Sequence, residues 1–153
     1  MKNADHRQIP RDPADVAACT FANMRKATRA VTQFYEAALR PLELTATQFT
    51  LLATLDRRGA LRLTDLAEAL VMDRTTLTRN LRPLTERGLI RVGADSDRRV
   101  RRLAVSKAGV ALIEEAMPLW RDAQRQLVDG LGDGRWAGLL DDLDAAVALT
   151  HGR

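Results

Sequence analysis

Residues 61–105, LRLTDLAEALVMDRTTLTRNLRPLTERGLIRVGADSDRRVRRLAV, decide the fold. Thr64 has the side chain of an N-cap and opens a two-turn helix to Leu70. Asp73 caps a second helix that runs to about Arg87 and stops at Gly88, a residue suited to a helix C-terminus. Leu89–Val92 and Arg101–Val105 alternate as paired strands, and GADSDRRV (93–100) between them has the Gly, Asp and Ser of a hairpin tip. Helix, tight turn, helix and arginine-rich hairpin therefore follow one another within 45 residues.

Projected at 100° per residue, Leu77, Leu81 and Leu84 fall within about 60° of one another. Thr75, Thr78, Arg79, Arg82 and Glu86 gather on the opposite side. The leucines anchor the second helix, and a Thr/Arg face is left over. That chemistry suits a nucleic-acid groove: arginine pairs bidentately with guanine O6 and N7, and threonine offers a hydroxyl and a methyl to base edges. The helix N-terminus adds free N–H groups for phosphate. Pro83 removes a backbone bond and is expected to kink the helix, so that Thr85–Arg87 diverge from the groove. Arg98, Arg99, Arg101 and Arg102 crowd the hairpin, where an arginine-dense tip can enter a narrow minor groove. Alternation puts Arg99 and Arg101 on one face and Arg102 on the other.

Charge follows the same segment. From Arg74 to Arg102 there are nine arginines and three acids, a net of +6, which leaves −2 for the rest of a chain whose total is +4. A basic stripe on a near-neutral body is the footprint of a polyanion binder.

The flanks are helical. Apolar residues recur at Ala17, Phe21, Met24, Val31, Phe34 and Ala38, giving a first helix from about Val16 to Leu39 that ends at Pro41. Thr45 with Gln48 makes a capping box for a helix to about Arg58, with Phe49, Leu52 and Leu55 inward and Gly59 as its stop. Leu61–Leu63 read as a short strand. Ser106 caps a long helix to about Leu131, which contains Pro118. Its inner face is Leu112, Ile113, Ala116, Leu119, Trp120, Ala123 and Leu127. Gly130, Gly132 and Gly134 break the chain before a last helix, Trp136 to about Leu149. A helix of about 26 residues spans roughly 39 Å, more than a core this small can cover, and a symmetric dimer would bury the surplus apolar faces.

Composition bounds the remainder. The 153 residues are 46% hydrophobic and only 4% aromatic, with one cysteine. One well-packed unit is expected, with no internal disulfide. No apolar run approaches a membrane span and no segment resembles a signal peptide, so the expected location is cytoplasmic. His6 and His151 lie near the termini and leave no metal site of the usual His/Cys kind. Ser106 and Cys19 lack a matched His or acid, and there is no glycine-rich phosphate loop. No cofactor, no metal, no catalytic residue and no enzymatic activity are expected.

The order TATQFTLLATL (45–55), LTDLAEALVMDRTTLTRNLRPLTERGLI (63–90) and DSDRRVRRLAVSKAG (95–109) resembles the MarR family of bacterial transcriptional regulators. The resemblance spans about residues 16–131. Its most specific parts are DRTTLTRNL, the RGLI that follows, and the wing D-R-R with V-S-K-A-G after it; Val105 and Ser106 depart mildly from the usual L-T-x-x-G. It implies a mainly α fold: one unit over 1–153, with a winged helix-turn-helix lobe at 45–105 (a three-helix core plus β-hairpin wing) and a helical dimerisation lobe at 16–40 and 106–150. It further implies a homodimeric, DNA-binding transcriptional regulator, mostly repressing, that binds double-stranded DNA at an inverted-repeat operator.

Carried over, Asp73–Arg82 are the recognition helix, and the DNA-binding candidates are Arg74, Thr75, Thr76, Thr78, Arg79, Arg82, Asp97, Arg98, Arg99 and Arg101. Arg99 is the wing-tip arginine and Asp97 its brace. The dimer would set the two recognition helices about 34–36 Å apart. The family's small aromatic effectors would be lined here by Asn23, Met24, Phe34, Gln48, Leu52 and Trp120. Two alternatives stay open: a thiol-based oxidative-stress sensor using Cys19, and a winged-helix protein-interaction module that does not bind DNA. Against the first, alignment through Arg29 and Tyr35 puts the sensing position of peroxide-responsive members at Phe21.

Overall fold

The computed structural model describes residues 19–94 and 101–151. Its elements are α1 (Thr20–Leu39), a 3-10 turn (Arg40–Leu42), α2 (Ala46–Arg58), β1 (Leu61–Arg62), α3 (Leu63–Ala69), α4 (Arg74–Glu86), β2 (Ile90–Ala94), β3 (Arg101–Val105), α5 (Lys107–Leu131) and α6 (Asp133–His151). The protein is mainly α, a winged helix with long flanking helices.

Local chemistry sets most boundaries. Pro41 tightens the end of α1 into the 3-10 turn, which Glu43 closes in the left-handed region at φ 53°. Thr45 accepts from the Gln48 amide, and Gln48 Oε1 accepts from the Thr45 amide, both at 3.1 Å, so the capping box of α2 is complete. Its buried face holds Phe49, Leu52 and Leu55 as expected, and also Leu51. Ser106 caps α5. α5 and α6 are separated at Gly132, φ 80°; Gly130 and Gly134 lie inside helices, so α6 begins three residues earlier than expected.

Two other boundaries differ from the expectation. Arg62, not Thr64, is the N-cap of α3, because Leu61 and Arg62 are held by pairing with Leu103 and Arg102 and the helix starts directly after that bridge. In β2 the pairing runs on to Gly93↔Arg102 and Ala94↔Arg101, two residues beyond Val92. The antiparallel sheet has the order β1-β3-β2.

One core joins the winged helix to α1 and α5. Leu39 and Leu44 from the α1–α2 junction, Leu51, Leu52 and Leu55 of α2, Leu66 of α3, Leu77 and Leu84 of α4, Ile90 and Leu103 of the sheet, and Ile113 and Ala116 of α5 form a single cluster. At about 25 cal/mol per Å², this apolar burial is the dominant force holding α4 to the body. Leu112 and Trp120 pack partly buried against the cluster, while Leu119 and Leu127 are half-buried. No helix among the described residues is long and apolar enough to cross a membrane.

Candidate nucleic-acid interface

α4 is fixed at both ends and on one side. At its start Asp73 Oδ1 accepts from the Thr76 amide at 2.8 Å. Hydrogen bonding to the anionic form, from the Thr76 side chain first and its amide second, holds the Asp73 carboxyl below the ordinary aspartate range. At its end the Gly88 amide bonds to Thr85 O and the Leu89 amide to Leu84 O, both at 2.9 Å, with Gly88 at φ 68°. This pair of bonds is the Schellman closure, and Leu84 and Leu89 are both buried beneath it. Leu77, Leu81 and Leu84 are the inward side. Pro83 lies inside α4, which continues to Glu86 with the Arg87 amide bonded to Pro83 O. Thr85–Arg87 thus remain with the helix and its cap.

The C-terminal end of α4 is tied to the body from two directions. Arg87 donates from Nη1 to Glu43 O at 2.9 Å and from Nη2 to Leu42 O at 3.3 Å. Ser106 Oγ donates to Gly88 O at 2.7 Å and accepts from the Gly109 amide at 3.0 Å. The turn after α1 and the first turn of α5 therefore both grip the base of α4.

The outward side is an open groove lined by Leu63, Arg74, Thr75, Thr78, Arg79 and Arg82. The structure thus gathers five of the candidates on one surface. Thr76 is half-buried at the flank, with its carbonyl accepting from Asn80 Nδ2 at 2.8 Å; it is not among the groove residues. Thr78 Oγ1 donates to Arg74 O at 2.7 Å, which leaves its methyl and its lone pairs for a partner.

Arg101 is exposed at the outer end of β3. Arg102 is opposite Arg62 and Gly93, and its Nη1 donates to Ala60 O at 3.2 Å. Asp97, Arg98 and Arg99 lie outside the described residues.

Three residues of the site were missed by the sequence reading. Leu63 gives the groove an apolar floor. Arg87 is a brace, through carbonyls 44 and 45 residues away. Glu86, expected to stand apart at the far end, accepts from Arg82 Nε at 2.7 Å, and its carboxylate raises the Arg82 pKa still further above the ordinary range. The i,i+4 spacing was the available signal for that pair.

The proposed effector residues occupy different settings. Leu52 is 0% exposed in the core, Gln48 is engaged in the capping box, and Trp120 stacks at a tilt on Phe49 with centroids 6.1 Å apart. Phe34 meets Tyr35 edge-on, and Tyr35 donates to Gln124 across α1 and α5. Asn23 donates to Cys19 O at 3.0 Å, and Met24 is half-buried. Cys19 is the half-buried N-cap of α1.

Fold and groove together define a winged helix-turn-helix protein whose α4 presents arginine and threonine outward. The MarR family profile matches residues 44–100. The transcriptional regulator MosR of M. tuberculosis is 34% identical, with 90% of this chain and 99% of that chain covered and a TM-score of 0.77. Its crystal structure in complex with DNA matches at 37% identity over 86% of this chain and 98% of that one, TM-score 0.75. BpsR of Bordetella bronchiseptica, studied for regulation of its DNA binding by 6-hydroxynicotinic acid, is 26% identical over 83% of this chain and 91% of that one, TM-score 0.76. No curated protein sequence matches. The chain belongs to the MarR family, and it is a DNA-binding transcriptional regulator rather than an enzyme.

Proposed function

We propose that the protein is a cytoplasmic repressor that binds a palindromic operator as a homodimer and leaves it when a small aromatic ligand binds. The observation that carries the reading is the divided α4: Leu77, Leu81 and Leu84 buried, and Arg74, Thr75, Thr78, Arg79 and Arg82 lining one open groove. In this reading Thr75, Thr78, Arg79 and Arg82 face base edges, Arg74 and the half-buried Thr76 serve the backbone at the helix start, and Arg98, Arg99 and Arg101 of the wing, with Asp97 bracing Arg99, reach the adjacent groove.

The dimer is supported by α6, a 19-residue helix none of whose residues is buried in the single chain. It exposes Leu139, Leu140, Leu143 and Val147, and α1 exposes Phe21, Val31 and Phe34. A helix without a buried face gains little from packing, and a second copy related by a two-fold axis supplies the cover. The effector reading is supported by BpsR, whose DNA binding is regulated by 6-hydroxynicotinic acid. Met24, Phe34 and Trp120, each with part of its surface open, remain its apolar candidates beside Asn23.

Selection of bound duplexes from random DNA, with and without aromatic acids, tests the whole reading. An inverted repeat with half-sites one helical turn apart is expected, with binding that weakens steeply as salt rises because phosphate contacts release counterions. Arg99→Ala should weaken all sequences alike. Arg79→Ala should lose roughly 5- to 150-fold discrimination at one base pair per half-site. Binding indifferent to salt and to both substitutions would sink the assignment.

A further inference from the structure

Arg82 and Glu86 form an ion pair on the outer face of α4, Nε to Oε1 at 2.7 Å, with the two side chains 79% and 61% exposed. We propose that Glu86 is a specificity-determining residue of the DNA interface. By holding Arg82 at Nε it presents Nη1 and Nη2 end-on, as a fork for one guanine, and it penalises use of the same arginine as a phosphate clamp. The inference rests on α4 being the base-reading helix.

The guanidinium is planar, with five N–H donors in fixed directions. Occupying Nε–H from the side leaves the two terminal nitrogens, which match the spacing of O6 and N7 on a guanine edge. An unrestrained arginine samples many rotamers and finds a phosphate as readily as a base. Restraint therefore reduces the entropy lost on making the base contact, and the contact it prepares is directional.

Helix stability does not account for the pair. Exposed pairs of this kind contribute little. The order, Arg before Glu, is the poorer of the two i,i+4 orientations. Glu86 also sits in the last turn of α4, where the negative end of the helix dipole disfavours a carboxylate. A residue that gains the helix little as a pair and is disfavoured at the helix end is better explained by what it does to Arg82, which lines the groove with Arg74, Thr75, Thr78 and Arg79.

The carboxylate also acts on the competing complexes. If Arg82 swings to a phosphate, Glu86 is left unpaired beside a polyanion. When Arg82 meets guanine, the pair stays intact. The penalty falls mainly on non-specific complexes and widens the ratio between the right site and the wrong ones.

The test uses the full-length protein carrying Glu86→Ala, Glu86→Gln, Arg82→Ala or both alanines. Each is assayed for affinity to a non-operator duplex across a salt series and for base preference by selection from random DNA; circular dichroism checks that each is folded. Glu86→Ala should raise non-specific affinity by about 2- to 5-fold and flatten preference at the G·C pair that Arg82→Ala also flattens. Glu86→Gln keeps an acceptor for Nε without the charge, so it should restore base preference while non-specific affinity stays raised. The double variant should match Arg82→Ala in its base profile. If Arg82→Ala flattens one position and Glu86→Ala leaves the profile and the non-specific affinity as in the parent, Glu86 has no such role although α4 still reads bases. If Arg82→Ala flattens no position, the assignment of Arg82 to a base fails, and the role of Glu86 fails with it.

Discussion

Val71 holds the turn between α3 and α4 at φ 52°, in the left-handed region, where a β-branched side chain is strained. The conformation lets its amide bond to Glu68 O at 3.1 Å and lets the Met72 amide reach Ala67 O at 2.9 Å, so strain at one residue sets the angle between the two helices. The cost for an L-residue there is roughly 1–2 kcal/mol, and glycine would give back part of it through its freer unfolded chain. Since Val71 is 47% exposed, little burial is lost, and Val71→Gly should stabilise the protein by about 0.5–1 kcal/mol. A lower urea midpoint would show that the side chain packs more than it strains. Asp73, two residues on, ties the helix start to pH. Its folded pKa lies below the ordinary value, so its contribution is complete above the unfolded aspartate value and is lost as pH falls through the depressed folded one. Asp73→Asn keeps a capping oxygen without the titration, so its stability should fall less than the parent's between about pH 5 and pH 2. Parallel acid limbs in denaturant titrations would contradict this.

At the scale of elements, the base of α4 is held where the start of α5 approaches the turn after α4. A Cβ at Gly109 would stand 2.3 Å from Leu89 O and 2.6 Å from Val105 Cγ2, so only glycine lets the first turn of α5 lie this close. Gly109→Ala should cost about 1–3 kcal/mol through overpacking and should also weaken DNA binding, because the displaced turn is the one that Ser106 clips to Gly88. A thermal melt alongside a binding titration separates the two effects, and an unchanged melting temperature would show that the junction yields freely. The same elements show what the chain makes legible. Caps are local chemistry, and Thr45, Asp73 and Ser106 were readable because one side chain and one amide suffice. The inward leucines of α4 were readable because their 3.6-residue period is local too. The start of α3 was not, because it depends on a strand partner 40 residues away, at Arg102 and Leu103. The bracing by Arg87 and the closeness of Gly109 are likewise tertiary facts that no spacing announces. Glu86 was visible at i+4 from Arg82, and what hid it was the expectation that Pro83 would turn the helix end aside.

For the whole molecule, the question is what covers α6. Trp136, Leu140, Leu143 and Val147 recur at steps of four, three and four, the spacing of a helix seam, and the last three are more than a third exposed in the single chain. No residue of the core cluster lies on α6, so a charge placed on α6 should separate assembly from folding. Leu143→Glu is expected to convert a dimer to a monomer at micromolar concentration, with the far-UV spectrum retained. Because two linked half-sites gain their affinity from being held at one spacing, binding to the inverted repeat should fall by about 10²- to 10⁴-fold. Binding to a single half-site should change little, since α4 and the wing are untouched. Sedimentation together with titration of whole and half operators measures both. A variant that stays dimeric with full operator affinity would move the interface off α6 and leave its apolar stripe to some other partner. A variant that loses half-site binding as well would mean that α6 supports the reading lobe directly, through α5 and the Ser106–Gly88 clip, rather than by pairing two copies of it.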